Sequence, residues 1–202
     1  KEIIDNITVV RLPLYPSHSR SIIGRVLNYL SFCFSSLIYT MFFMPKVDVI
    51  YGYHPPLTIG IVLSLVRVFR KIPVVYDIQD LWPDSLKATG MFSSEIGMKI
   101  VAIFCNWVYS KVDIITVLSL GFKKKLIERG VNKNKIQIIY NWCNEEKILK
   151  KKYTKPQELK SINGFVIMFA GNIGPAQSLE NIVTAFKGLS EDLFHLVIIG
   201  TG

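Results

Sequence analysis

Cysteine is scarce in this chain. Cys33, Cys105 and Cys143 are scattered and form no CxxC pair, which argues against a zinc site or a disulfide framework and fits a reducing compartment. Acidic side chains are also few, 15 Asp and Glu against 24 Lys and Arg, for a formal charge of +9. Such an excess points to an anionic partner. The cations gather in "FKKKLIERG" (residues 122–130) and "LKKKYTKPQELK" (residues 149–160). No RNA-binding aromatic signature or basic repeat accompanies them, so a membrane surface ranks ahead of nucleic acid. There is no GxGxxG and no P-loop. "AGNIGPAQSLE" places glycines before a helix start, where free N–H groups favour phosphate, but no Lys-Ser/Thr pair follows.

Charge is absent altogether from residues 26–44, "VLNYLSFCFSSLIYTMFFM", a length that could cross a bilayer. Asn28, Ser31, Ser35, Ser36 and Thr40 dilute the run, and its neighbours alternate between strand and helix patterns. It reads as a buried or membrane-docked helix of a globular domain, with a true span as the alternative. The chain also lacks an initiator Met and stops at "HLVIIGTG", a strand entering a glycine turn. That pattern is expected of an internal piece of a longer protein.

With 202 residues, half of them apolar, there is material for one large domain, or for one domain and part of another. Strand-like apolar runs occur at residues 7–12, 47–52, 73–78, 112–118 and 135–140, with helix-like runs between them. Ser93 or Ser94 is placed to cap a helix reaching residue 110, and Ser119 another that closes at Gly130. Continuous apolar strands in strand–helix–strand order predict a parallel, doubly wound α/β sheet buried on both faces. Residues 144–163 break the pattern, and residues 165–171, 178–189 and 194–200 restart it. The expected division is therefore a domain at 1–143, a linker at 144–163 and the start of a second Rossmann-like domain at 164–202.

Ligands of open parallel sheets bind beyond the C-terminal ends of the strands. That rule selects the loops "GYHPP", "DIQDLWPD", "LSLG", "YNW" and "AGNIGPAQ", which a cleft between two domains would collect. Each has a plainer reading. Asp80 could cap a turn, His54 could be a turn residue beside Pro55 and Pro56, and Ser119 could be only a helix cap. Trp82 and Trp142 suit packing as well as stacking. Asp77 reads as structural, and Asp84 as a cap or a solvent-facing group.

Taken in order, these segments resemble the retaining glycosyltransferases of family 4. "PVVYDIQDLWPDSLKATGM" is similar to the acceptor-domain motif of a subgroup, including fucosamine-type amino-sugar transferases, that builds bacterial O-antigen and capsule. "VDIITVLSLGFKKKLIERGV", "KIQIIYNWCNEEKI", "FVIMFAGNIGPAQSLENIVTAF" and "HLVIIGTG" follow in the family's order. The resemblance implies the GT-B fold of two Rossmann-like domains, the first lacking its N-terminal start here and the second cut short. It also implies retaining transfer of a hexosyl or N-acetylaminosugar unit from a nucleotide diphosphate sugar, with neither metal nor other cofactor.

By position, the resemblance makes Asp80 the catalytic-side acid, with His54, Gln79, Ser119 and Asn141 on the substrate. Gly171, Asn172, Gly174, Gln177, Gly200 and Gly202 fall on the donor nucleotide. There are departures. Gln79 stands where the family carries His, and Asn172 and Gln177 stand where many members carry Arg and Lys. The family's N-terminal glycine loop and paired glutamates do not occur, so these 202 residues alone are expected to be inactive. The implied acceptor is a saccharide on a polyprenyl diphosphate. The implied location is the inner face of the bacterial cytoplasmic membrane, held peripherally, with no nucleic-acid partner. The alternatives are a GT-B-fold sugar-nucleotide epimerase and a non-catalytic membrane-spanning or scaffolding protein.

Overall fold

The computed structural model describes residues 1–17, 22–88, 94–149, 154–190 and 193–201. They form two compact units, one of Lys1–Ser85 with Ser93–Asn141, the other of Leu86–Phe92 with Trp142–Gly202.

The first unit opens with a hairpin of β1 (Glu2–Ile4) and β2 (Ile7–Val9), paired antiparallel. Its two-residue turn uses Asp5 and Asn6 at φ 48° and 65°, the left-handed pair that a tight hairpin requires. The run at 7–12 is thus not a strand of the parallel sheet. The Asp-Asn turn folds its start back onto residues 2–4 instead. Next comes α1 (Ile22–Ile38), continued by a π-helical turn at Tyr39–Phe43 that Met44 N–H closes onto the Tyr39 carbonyl at 2.8 Å.

A four-stranded parallel sheet follows, in the order β3 (Ile50–His54), β4 (Val74–Ile78), β5 (Ile114–Val117), β6 (Ile136–Ile138). The first of these strands starts three residues later than the run at 47–52 suggests, because pairing begins with Ile50 opposite Val74. Helices α2 (Leu57–Arg70), α4 (Glu95–Lys111) and α5 (Leu120–Glu128) alternate with the strands, and a short α3 (Asp84–Ala88) follows β4. Ser94 Oγ accepts from Gly97 N–H at 3.3 Å, and Ser119 Oγ accepts from Phe122 N–H at 3.2 Å, so both helices start at hydroxyl caps. The alternative cap Ser93 lies outside the described residues.

Burial concentrates on the central strands. Val74, Tyr76, Ile78, Ile115, Val117 and Ile136 have no exposed surface, and Val108 and Leu126 from the helices, with Val112 just past the end of α4, close over them. Each such aliphatic side chain contributes roughly 1.5–3 kcal/mol on burial. Helix α2 lies so close to β4 that a Cβ at Gly60 would sit 2.9 Å from the Tyr76 ring and 2.7 Å from Val108, so glycine sets that spacing. Cys105 is in this core and Cys33 half-buried, while Cys143 is exposed.

The second unit contains α6 (Glu145–Leu149) and a βαβ element, β7 (Phe165–Ala170), α7 (Leu179–Phe186) and β8 (Phe194–Ile199). The two strands are parallel with Phe165 opposite Phe194 and Ala170 opposite Ile199. Burial on both faces describes β4 but not these strands, where Phe165, Met168 and Ile199 are exposed. With one crossover helix and no third strand among the described residues, the pair has too little to pack against. Lys150, Lys151 and Lys152 lie outside the described residues.

Candidate functional site

The register of the larger sheet brings four loops to one edge. His54 pairs with Ile78, Ile78 with Val117, and Val117 with Ile138. Four parallel strands therefore end level, and His54, Gln79, Asp80, Ser119 and Asn141 lie at or just beyond that end.

Asp77, one residue inside the edge, is 5% exposed and saturated with donors. Its carboxylate accepts from Tyr51 Oη at 2.6 Å, Gln79 Nε2 at 2.8 Å and Thr116 Oγ1 at 2.6 Å. A buried charge persists only when paired or hydrogen-bonded in this way. Desolvation, then the bond to Asp77, pushes the Tyr51 phenol up to about 12. Asp77 is structural: it ties three adjacent strands and the first loop residue together. Gln79, standing where the family carries His, has its amide committed to Asp77.

Asp80 is the opposite case, three residues on. It is half-buried, and among the described residues its carboxylate takes no hydrogen bond or ion pair. Its carbonyl accepts from Trp82 N–H at 3.1 Å, which curls the backbone of the loop at this point. A carboxylate two residues past a strand end, without a partner among the described residues, is equipped to accept from ligand hydroxyls.

His54 is 2% exposed, edge-on to the Tyr76 ring at 5.8 Å and to the Trp82 ring at 5.4 Å. Burial lowers its pKa to about 4, against the opposing pull of Asp77. The ring is neutral at pH 7 and cannot act as a cation toward a diphosphate. Its Nδ1 is buried with no partner among the described residues. Trp82 packs against the core, whereas Trp142 is 89% exposed. Ser119 spends its hydroxyl as a helix cap, and Asn141 is exposed.

The residue that sequence reasoning missed is Arg129. From the C-terminal cap of α5 its Nη1 donates to the Trp82 carbonyl at 2.7 Å, and its Nη2 stands 2.9 Å from Asp84 Oδ2. Asp84 is therefore an ion-pair partner as well as the start of α3. The guanidinium anchors the far side of the loop that carries Asp80. It closes a segment, "FKKKLIERG", that looks like a solvated helix face, and no local pattern marks its long-range partner.

In the second unit the two glycine-bearing loops touch each other. Gly171 N–H donates to the Ile199 carbonyl at 2.9 Å and Ile173 N–H to the Thr201 carbonyl at 3.0 Å. A Cβ at Gly200 would collide with the Gly171 carbonyl, so this close approach needs glycine. A Cβ at Gly174 would lie 2.8 Å from Asn172 Nδ2 and 3.2 Å from Gln177 Oε1, so both amide side chains fold over it. Gly202 lies outside the described residues.

Comparison with known proteins bears on this arrangement. Residues 4–142 match the model of the glycosyl transferase 4-like domain. The chain is 27% identical, over 96% of its length, to an Escherichia coli K12 protein provisionally named colanic acid biosynthesis glycosyl transferase WcaI. It is 22% identical, over 77% of its length, to a Pseudomonas aeruginosa protein named a probable glycosyltransferase, WbjE. It spans 50% of the first relative and 40% of the second, about half the length of the proteins it matches. Among solved structures, Anabaena HepE in complex with UDP-glucose superposes with a TM-score of 0.57 at 14% identity, covering 89% of this chain and 45% of HepE. That likeness establishes the parallel-sheet, Rossmann-like α/β fold of the GT-B glycosyltransferases. With the family match running from the first hairpin to the last loop of the four-strand edge, the chain belongs to the glycosyl transferase 4-like family.

Proposed function

We propose that the protein containing this chain transfers a sugar from a nucleotide diphosphate donor to a lipid-linked saccharide, with retention at the anomeric carbon. The product would be a bacterial surface polysaccharide of the O-antigen or capsule kind. The observation that carries the reading is Asp80, a carboxylate with no partner among the described residues, just beyond a strand edge tied by Asp77, in a chain of this family. A nucleotide donor is supported by the UDP-glucose that HepE binds, and a polysaccharide product by the colanic acid role in the relative's name.

In this reading the donor diphosphate lies on the backbone N–H groups of Asn172 and Gly174, with Gly171, whose own N–H is held by the Ile199 carbonyl, Gln177 and Gly200 shaping the loop. Gly202 is assigned to the donor by the family resemblance alone. Charge builds on the diphosphate as the glycosidic bond breaks, and preorganised amides stabilise it without reorganising. Asp80 accepts from a sugar hydroxyl, which orients the reacting sugar. His54, neutral, contributes shape and hydrogen bonding rather than charge. The division into 1–143, a linker at 144–163 and 164–202 belongs to the same proposal. So does work at the inner face of the cytoplasmic membrane, where a polyprenyl-linked acceptor resides.

The test is donor-dependent transfer by the complete protein with Asp80→Ala. Turnover should fall at least 100-fold, about 2.7 kcal/mol of transition-state binding, with the unfolding midpoint unchanged. Turnover within threefold of wild type would reduce Asp80 to a turn residue. The anomeric configuration of the product, read by NMR, decides retention.

A further inference from the structure

Helix α1 divides into three sectors. Cys33 and Leu37, with Met41 and Met44 beyond, cover Val62, Val66 and Ile72, and the Cys33 thiol reaches the Thr58 carbonyl at 3.5 Å. A polar sector is tied to the preceding segment: Ser31 Oγ accepts from Tyr15 N–H at 2.8 Å, and Asn28 Nδ2 donates to the Tyr15 carbonyl at 2.7 Å. The third sector is apolar and open. Ile23, Leu27, Leu30 and Phe34, at helical spacings of four, three and four, are 47–72% exposed. Phe42 and Phe43 extend this apolar exposure into the π-helical turn.

We propose that this open sector docks the chain in the plane of an anionic lipid bilayer, deepening the membrane-face reading above. The stretch Ile23–Phe43 is long and apolar enough to cross a membrane, but its attachments oppose that use. Arg70 Nη1 donates to the Thr40 carbonyl at 2.6 Å and to the Met44 carbonyl at 3.3 Å, binding the end of the stretch to α2. A span would break these bonds, strip the cover from Val62 and Val66, and carry the Ser31–Asn28 sector into hydrocarbon. Lying flat satisfies all three sectors at once.

Charge identifies the occupant. No acidic residue occurs from residue 6 to residue 47, while Arg11, Arg20, Arg25 and Lys46 do. Over residues 6–76 there are seven Lys and Arg against Asp48 alone, although Arg11 and Arg67 pair with Glu2 and Asp113 from outside that stretch. An apolar stripe within an acid-free, cationic stretch complements anionic headgroups over an acyl layer. It complements a second copy of itself poorly, because two stretches of like net charge would be brought together.

The experiment is co-sedimentation of the chain with phosphatidylcholine vesicles, with and without phosphatidylglycerol. Binding should rise with phosphatidylglycerol and fall with salt. Leu27→Ser with Phe34→Ser, both exposed positions, should lower the partition coefficient at least tenfold with the circular-dichroism melt unchanged. Phe42→Ser with Phe43→Ser should lower it as well. Alkaline carbonate should release the chain from cell membranes. Binding indifferent to both variants would overturn the proposal. Retention through carbonate would do so in favour of a span, and variant-sensitive self-association without vesicles in favour of a second copy. No sugar donor enters these assays, so their failure leaves the transfer reading standing, and absent transfer leaves vesicle binding standing.

Discussion

Along the edge of β3–β6 the loops are held by side chains: Asp77 gathers Tyr51, Gln79 and Thr116, and Arg129 grips the Trp82 carbonyl. Along the edge of β7–β8 they are held by backbone: amides of Gly171 and Ile173 bond across to Ile199 and Thr201, and Gly200 rests against the Gly171 carbonyl. The same strand–loop–helix rhythm thus supports two kinds of surface. The first sets polar side chains, Asp80 among them, at the ends of strands tied to one another by side-chain hydrogen bonds. The second strips side chains away so that the backbones of its two loops can touch.

Substitutions can break that contrast. The largest effect is expected for Asp77→Ala, which orphans a buried Thr116 hydroxyl and unties Tyr51 and Gln79. Stability of the first unit should drop by about 4 kcal/mol, read from the urea midpoint. A loss below about 1 kcal/mol would mean that packing alone aligns the edge.

Acid comes next. His54 has its pKa lowered on folding from 6.5 to about 4, so the unfolded chain takes up a proton between those values and the folded chain does not. Stability conferred by this group is complete above about pH 6.5 and falls as pH drops toward 4, by on the order of 3 kcal/mol. A His54→Phe variant should lose that slope in pH-dependent thermal melts, and an unchanged slope would place the titration elsewhere.

In the second unit, Gly200→Ala should cost about 2 kcal/mol and speed hydrogen exchange of the β7 and β8 amides while sparing β4. Arg129→Ala is expected to cost the least, about 1–2 kcal/mol. Most of that belongs to the Trp82 carbonyl bond, because the Asp84 side chain is 55% exposed and its ion pair is screened. Arg129→Lys should recover part of it.

Much of the parallel sheet was legible in the sequence because buried strands leave continuous apolar runs, and "VVYDI" and "IITV" do so plainly. The caps at Ser94 and Ser119 were legible because the chemistry of a helix start is local. What escaped depended on distance. The Asp5–Asn6 turn redirected an apolar run that by pattern alone resembles its neighbours. Arg129 reaches a residue 47 positions away, and no window of sequence encodes that partner. Of the three acids in "DIQDLWPD", position alone separates Asp80 from Asp77. The reason, three donors on one and none on the other, is visible only in three dimensions.

The distribution of thiols has a practical consequence. Burial raises the Cys33 thiol and pushes Cys105 up to about 11, so neither offers appreciable thiolate at neutral pH. Cys143 is exposed, two positions past the last residue of the first unit. A maleimide dye added at pH 7 should therefore attach at one place in the unaltered chain, beside Trp142. The molecule supplies its own single fluorescence-labelling point where the chain passes from its first unit to its second, with no engineered cysteine.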